Sequence, residues 1–151
     1  IIFLILPLAL SAQNAVDQYG RKQGEWTKEY ASGQLRYEGQ FKNNVPVGIF
    51  KHYDYKGNIT ANLKYFNEGN SAAARLYHIN GKIQAIGLYS KEQKDSLWRY
   101  YDDKEQLISE ETYRSGKLHG PSRTFYKNIP DVNSAATCTA CSSITVMELA
   151  T

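Results

Sequence analysis

A period of 24 residues runs from Gly24 to Asn128 and constrains the fold more than any other feature of the chain. No insertion or deletion interrupts it. A fixed period of roughly 20 to 50 residues indicates a repeat architecture, in which copies of one supersecondary unit stack on each other. Four columns carry the period: a small residue (Gly24, Gly48, Ala72, Ser96, Gly120), a ring (Trp26, Phe50, Trp98, with Ala74 as the exception), an aliphatic residue (Leu35, Ile59, Ile83, Leu107) and a second ring (Phe41, Tyr65, Tyr89, Tyr113).

Each repeat has the pattern of a β-hairpin. In the first repeat, alternation predicts strands near Glu25–Tyr30 and Leu35–Lys42, and Gly33 lies in the turn "ASGQ" between them. No helical period occurs between residues 19 and 128. The predicted fold class is therefore all-β, an elongated single-layer antiparallel sheet of stacked β-hairpins. Ten strands at about 4.8 Å each would give a sheet roughly 45 Å long.

The glycine inside the second strand, Gly39, needs a reason, because glycine weakens a strand interior. Symmetric closure of the hairpin places Tyr30 opposite Leu35 and Trp26 opposite Gly39. A ring can lie across the space beside a glycine on the neighbouring strand. We therefore predict that Gly39 leaves room for Trp26.

These motifs resemble the MORN repeat family, and in particular its bacterial variant repeats. The resemblance rests on the element Tyr37-Glu38-Gly39-Gln40-Phe41, on the glycine before Trp26 and Phe50, and on the aromatic–x–x–Gly turns. It covers about residues 19 to 128 as five repeats. It implies a single-layer sheet that serves as a binding or scaffolding module, in some members at membranes. Some bacterial members are labelled antitoxin-like.

The two ends of the chain differ from the repeats. Residues 1–12 combine an apolar run with the small residues Ser11 and Ala12, which is typical of a secretory signal peptide; without Met and a basic segment, its start looks truncated. We therefore expect a bacterial-type exported protein, in the periplasm, the envelope or the medium. Residues 129–151 are rich in Ser, Thr and Ala, and we expect a disordered or out-of-register tail. There Cys138 and Cys141 form a CxxC, which fits a disulfide, a redox pair or a spurious segment.

One face of the predicted sheet carries a candidate binding site. Cations and rings occupy two columns, two residues apart, and successive copies of each column would lie about 9.6 Å apart. Such a stripe could bind a carboxylate-rich peptide, an acidic polysaccharide or anionic lipid headgroups. Alternatively, the rings only cover the sheet and the cations are solvated. The residues are Lys51, Tyr53, Arg75, Tyr77, Arg99, Tyr101, Arg123 and Phe125.

Catalytic and metal-binding patterns are not evident. His52, His78 and His119 fall at different repeat positions, and Asp102-Asp103 and Glu110-Glu111 are sequence neighbours that would point to opposite faces of a strand. The formal net charge of +3 is spread along the chain and does not favour nucleic-acid binding. We predict no enzyme, no cofactor and no metal site.

The function predicted from these features is an exported, non-enzymatic repeat module that binds a protein or an acidic component of the cell envelope. Contact with a membrane surface is compatible with it, and the pattern does not define the partner or the oligomeric state. Two alternatives remain: a passive structural spacer, and an antitoxin-like protein that neutralises a cognate toxin.

Overall fold

A computed structural model describes residues 13–127 of the chain and the backbone of Ile144–Leu149. The predicted signal peptide at residues 1–12 and the cysteines of the CxxC lie outside the described residues. Within the described residues there is no helix long and apolar enough to cross a membrane.

The strands form one antiparallel sheet in which each strand pairs with its neighbours in sequence. This confirms the predicted fold class. From β2 to β10 the order follows the chain because short turns favour pairing between strands adjacent in sequence. The strands are β1 (Ala15–Val16), β2 (Lys22–Glu29), β3 (Leu35–Lys42), β4 (Val45–Tyr53), β5 (Ile59–Phe66), β6 (Ser71–Tyr77), β7 (Ile83–Ser90), β8 (Gln93–Tyr101), β9 (Leu107–Arg114), β10 (Lys117–Lys127) and β11 (Ile144–Leu149).

The sequence predicts ten strands within the repeat region. The structure has nine there, β2 to β10. The fifth repeat contributes only β10 there, and its pairing partner is β11, from Lys127 opposite Ile144 to Ser122 opposite Leu149. The segment Ile144–Leu149 belongs to residues 129–151, for which the sequence predicts a disordered or out-of-register tail. The rest of residues 129–151 lies outside the described residues.

Two kinds of turn alternate along the sheet. In the first kind Gly33, Gly57 and Gly81 have φ of 87°, 86° and 80°, and Glu105 adopts φ of 65° in the same column. Glycine suits this position because the left-handed region costs it no steric clash. The second kind has consecutive residues at positive φ, such as Asn43 (53°) and Asn44 (69°), which is the requirement of a tight type I′ turn.

The residue that opens the first kind of turn alternates between two roles. Asp54 and Asp102 cap their own turn, since one carboxylate oxygen of each accepts two backbone N–H bonds. Tyr30 and His78 reach the next hairpin instead. The Tyr30 hydroxyl donates to the Tyr53 carbonyl at 2.8 Å, and His78 Nε2 lies 2.9 Å from the Tyr101 carbonyl oxygen. Both contacts tie a hairpin to its successor.

The register within the first hairpin confirms one part of the prediction and corrects another. Trp26 lies opposite Gly39, as expected, but Glu29 rather than Tyr30 lies opposite Leu35. A bulge between Lys28 and Glu29 shifts the pairing by one residue. Bulges at turn ends increase local twist, and the symmetric closure assumed from sequence contains none.

Three of the four junctions between successive hairpins also contain a bulge, in β4, β8 and β10. There Gly48, Ser96 and Gly120 have φ of 70°, 60° and 97°. The β5–β6 junction pairs without a shift, and Ala72 is not among the residues at positive φ. The small-residue column is therefore a bulge column, and Ala72 marks the one junction of these four that lacks the bulge.

The core lies on one face of the sheet, which we call the ring face. The buried hydrophobic side chains are Phe50, Ala72, Ala74, Ala85 and Trp98, and Trp98 is 0% exposed. A single layer has no second sheet to cover its apolar side, so rings lying flat over the strands bury their neighbours.

Gly39 accommodates a ring, but the sequence-based choice of ring is wrong. A Cβ at Gly39 would overlap the Phe50 ring, not Trp26. In the same way, a Cβ at Gly87 would overlap the indole of Trp98. Each ring comes from the next hairpin, because the bulge carries residue 50 or 98 back over the glycine. The ring thus joins two repeats rather than closing its own hairpin.

Candidate functional site

The predicted cation stripe lies along one continuous row on the face opposite the rings, here called the polar row. Directly paired residues of an antiparallel sheet share a face, and the pairings link the row without a gap. From β2 to β10 it runs Thr27, Glu38, Lys51, Asn62, Arg75, Ile86, Arg99, Glu110 and Arg123. The structure therefore brings the four predicted cations into one line.

Most of these cations already have an acidic neighbour in the row. Lys51 Nζ donates to Glu38 Oε1 at 2.9 Å. The Lys51 bond, followed by one from Tyr53, lowers the pKa of Glu38, and the same carboxylate raises the pKa of Lys51. Because both side chains are exposed to solvent, screening leaves this ion pair little effect on stability.

Glu110 plays the same part at the other end of the polar row. Arg99 Nε lies 2.8 Å from Glu110 Oε1, and Arg123 Nη1 lies 4.0 Å from Glu110 Oε2. Arg99 and Glu110 are also direct cross-strand partners in the pairing of β8 with β9.

Arg75, at the centre of the polar row, differs from the other cations. It is exposed, and its cross-strand neighbours are Asn62 and Ile86 rather than carboxylates. It forms no ion pair with the residues that the structure describes. Its guanidinium could therefore bind an external carboxylate or phosphate without giving up an ion pair within the described part of the sheet.

Two rings of the predicted stripe, those of Tyr53 and Tyr77, form hydrogen bonds with residues of the polar row. The Tyr53 hydroxyl donates to Glu38 Oε1 at 2.9 Å, and its pKa is raised by burial and by that carboxylate. Asn62 Nδ2 donates to the Tyr77 hydroxyl at 3.0 Å. Tyr101 follows a bulge in β8 and pairs with Leu107, while Phe125 pairs with Val146 of β11.

The ring face carries a second feature, which the sequence interpretation missed. A ladder of edge-to-face contacts runs from Trp26 through Phe41 and Phe50 to Tyr65, with centroids 5.9, 5.1 and 5.2 Å apart. It resumes at Tyr89, whose ring lies 5.0 Å from that of Trp98. No ring contact within residues 13–127 joins Tyr65 to Tyr89.

An open depression with a volume of about 750 Å³ lies where the ladder is interrupted. Leu63, Ala72, Leu76, Tyr65 and Tyr89 are among the residues that line it. Ala74 occupies the ring column here. Ala74 itself is 1% exposed and does not line the depression, so the exception in the ring column does not by itself reveal this feature.

His52 also lines this depression, and its Nε2 atom is buried without a hydrogen-bond partner. Burial lowers the pKa of His52, and the positive charge of Arg36 lowers it further. The imidazole is therefore neutral near pH 7. A buried polar atom without a partner is costly and calls for an explanation.

The acidic pairs do not form a dyad. Glu110 bonds Arg99 on the polar row, whereas Glu111 lies opposite Trp98 on the ring face and accepts from the Tyr113 hydroxyl at 2.6 Å. Asp102 caps its turn. Within the described part of the chain, no three His, Cys, Asp or Glu side chains are grouped so that they could hold a metal ion.

Comparison with known proteins gives one match. The family model of the MORN repeat variant matches residues 22–43, which span β2 and β3. Searches of curated proteins and of solved structures found no significant match. The MORN repeat is a binding or structural module and is generally non-catalytic. The hairpin of β2 and β3 therefore carries the MORN repeat variant, and its pattern recurs along the sheet with the same period.

Proposed function

We propose that the protein is a non-enzymatic binding module of the cell envelope, and that it binds an acidic segment of a partner protein or an acidic surface along the polar row. Arg75 is the centre of this contact. The tyrosines at the end of each strand border it and add hydrogen-bonding hydroxyl groups.

The observation that carries this proposal is the difference between Arg75 and the other cations of the polar row. Lys51 and Arg99 lie within 2.9 Å of a carboxylate of the same sheet. Arg75 is exposed between Asn62 and Ile86. An external carboxylate would therefore gain a charge-assisted bond at Arg75 without displacing an existing one.

The experiment is affinity capture from an envelope extract with the full chain, followed by titration of the captured component. Arg75→Glu should weaken binding by about tenfold or more, since a hydrogen bond to a charged group contributes about 1.5–3 kcal/mol. Adding Arg99→Glu should weaken it further. Lys104→Glu makes the same charge change at an exposed turn outside the row and serves as control. Equal binding by wild type and the Arg75 variant would refute the proposal.

A passive spacer is the second candidate. The internal pairing of Lys51, Arg99 and Arg123 favours it, because these charges are neutralised without a ligand. A spacer would show no saturable binding of any envelope component, and it would associate with itself or its neighbours through strand edges. Sedimentation at increasing concentration separates this candidate from the binding module.

Export is part of the proposal, and the antitoxin-like role is its competitor. A reporter fused behind residues 1–15 should be secreted if the module acts in the envelope. Retention of the reporter in the cytoplasm, together with a toxin gene beside the gene for this protein, would favour the antitoxin-like role instead.

A further inference from the structure

The contacts of Glu38 show how the polar row binds a carboxylate. Two donors of β4 converge on one atom, Glu38 Oε1, with Lys51 Nζ at 2.9 Å and the Tyr53 hydroxyl at 2.9 Å. Glu38 lies on the preceding strand, directly opposite Lys51. Hydrogen bonds to an ionised carboxylate are shorter and stronger than bonds between neutral groups. The second repeat therefore contains a complete carboxylate site, occupied by a residue of the same sheet.

The third repeat has the equivalent donors without the carboxylate. One period after the two donors of β4, strand β6 carries Arg75 and Tyr77, and Asn62 stands in the column of Glu38. Asn62 lies directly opposite Arg75, and Asn62 Nδ2 donates to the Tyr77 hydroxyl at 3.0 Å. Tyr77 thus reaches the preceding strand as Tyr53 does, but it meets a neutral amide there.

Both donors of the third repeat remain available to a ligand. The Tyr77 hydroxyl accepts the bond from Asn62, and its own hydrogen is donated to no atom within residues 13–127. Asn62 Oδ1 is buried without a hydrogen-bond partner, so it does not accept from Arg75. The other cross-strand neighbour of Arg75 is the apolar Ile86. A guanidinium and a hydroxyl therefore flank Asn62 without a carboxylate between them.

An open hollow with a volume of about 440 Å³ adjoins these donors. Asn62 and Tyr77 line it together with Ile59 and Ile79, and these two isoleucines are 40% and 75% exposed. Burial of exposed apolar side chains against an apolar ligand group is favourable. An inorganic phosphate or an anionic lipid headgroup has no apolar group to place there. The hollow therefore favours a polypeptide over a phosphate or a lipid surface.

We propose that Arg75 and Tyr77 bind one aspartate or glutamate side chain of a partner polypeptide, and that an apolar side chain two residues away in that polypeptide enters the hollow. Residues two apart in an extended chain lie on one face at a separation of about 6.7 Å. This inference rests on the proposed function of the polar row and names its ligand as an acidic residue with an apolar neighbour.

The probe is a capped pentapeptide with glutamate at its centre, leucine at both ends and serine between them. In matched probes, glutamine or phosphoserine replaces the glutamate, or serine replaces both leucines. Binding to the full chain is measured by ligand-observed NMR titration. We expect glutamine to weaken binding by about tenfold or more, and loss of the leucines to weaken it by about fivefold or more.

Three outcomes with these probes would overturn the proposal. Equal binding of the glutamate and glutamine peptides would exclude recognition of a carboxylate. Tighter binding of the phosphoserine peptide would assign the donors to a phosphate. Adhesion of the chain to phosphatidylglycerol vesicles, without binding of the glutamate peptide, would assign them to a membrane surface.

Asn62→Glu returns a carboxylate to the third repeat from within the sheet. The variant should unfold cooperatively and lose affinity for the glutamate peptide by about tenfold or more, because the introduced carboxylate occupies both donors. The pKa of that carboxyl, followed by NMR, should be lowered as that of Glu38 is by Lys51 and Tyr53. Gln106→Glu makes the same charge change at an exposed turn outside the polar row and should bind as wild type does. Retained binding by folded Asn62→Glu would overturn the proposal.

Two further variants test the two halves of the site separately. Tyr77→Phe should weaken the glutamate peptide by about fivefold or more and leave the glutamine peptide unchanged, since the lost hydroxyl bonds only the carboxylate. An equal loss for both peptides would give Tyr77 a structural role only. Ile79→Ser should remove the preference for leucine over serine and keep the preference for glutamate over glutamine. An unchanged leucine preference would exclude the hollow.

The second repeat offers the reciprocal test. Glu38→Asn removes the internal carboxylate and should leave Lys51 and Tyr53 free to bind a second glutamate peptide per chain. An unchanged stoichiometry in the folded variant would contradict the equivalence of the two repeats.

The same variants keep this inference distinguishable from the proposed function. If Arg75→Glu abolishes capture from the envelope extract but Asn62→Glu and Tyr77→Phe do not, the polar row binds its partner and the carboxylate site proposed here is refuted. If none of the three variants changes capture, both proposals fail. A wild-type dimer that the glutamate peptide dissociates would assign the carboxylate to a second copy of this chain and overturn the role of a partner polypeptide.

Discussion

The β5–β6 and β7–β8 junctions hold equivalent places in the array, yet they fill the space above the sheet in different ways. At β7–β8, Gly87 lies under the ring of Trp98. At β5–β6, Leu63 lies opposite Ala74. The column of Gly87 and Leu63 has the small side chain at β7–β8 and the large one at β5–β6, and the column of Trp98 and Ala74 has the reverse. The bulge at Ser96 has no counterpart at Ala72. The repeat therefore accepts two packing solutions, one with a bulge and a ring over a glycine, and one with neither.

The largest expected effect on this comparison comes from removing the ring of Trp98. Trp98→Ala should lower the free energy of unfolding by about 3–5 kcal/mol, because a fully buried indole is removed above a glycine that cannot fill the space. Ala74→Gly, in the same column, should cost only about 1 kcal/mol. Urea unfolding measures both changes. A loss near 1 kcal/mol for Trp98→Ala would mean that the two junctions contribute equally.

The next test places the side chains of the β5–β6 junction at the β7–β8 junction. Gly87→Leu alone should destabilise the protein by about 1–3 kcal/mol, since its side chain would overlap Trp98. Gly87→Leu/Trp98→Ala reproduces the pair Leu63 and Ala74, and it should be more stable than the sum of the single changes by about 0.5–3 kcal/mol. Strict additivity in a double-mutant cycle would show that the exchange of columns is a coincidence.

A smaller test concerns the bulge. Ser96→Gly should stabilise the protein by about 0.5–1 kcal/mol because Ser96 has φ of 60°, where glycine is favoured. Ala72→Gly should destabilise it by a similar amount, because Ala72 is not among the residues at positive φ. The shift in the thermal midpoint measures each variant. Two shifts of the same sign would show that the bulge does not distinguish the two junctions.

The smallest effect is a dependence on pH at His52. Its pKa is lowered from 6.5 by burial and then by Arg36, so the unfolded state binds more protons as pH falls below 6.5. Stability should therefore decline between the unfolded and the folded pKa and be fully present above about 6.5. His52→Leu should flatten this part of the profile. Urea midpoints near pH 7.5 and pH 5.5 test it, and identical slopes for variant and wild type would exclude His52 as the cause.

The sequence was sufficient for the period, the fold class and the line of cations in the polar row. These follow from alternation and spacing, which depend only on the strand repeat. The ring over Gly39 and the opposition of Glu29 to Leu35 could not be predicted, because bulges shift the pairing without changing the period of the sequence. The shift is one residue within the first hairpin and two residues between β3 and β4. The depression was missed for a related reason. Alternation and spacing assign each side chain to a face of the sheet, but they do not give the space that is left between the side chains.

The alternation of turns has a consequence for how such a chain can change its length. Tyr30 and His78 tie their hairpins to the next, whereas Asp54 and Asp102 cap their own turns. Equivalent environments thus recur after two hairpins, 48 residues apart, as they do for Gly39 and Gly87. Excising one hairpin would bring two turns of the same kind together and place a ring above the wrong column. The part that can be inserted, removed or exchanged without mismatch is a pair of hairpins.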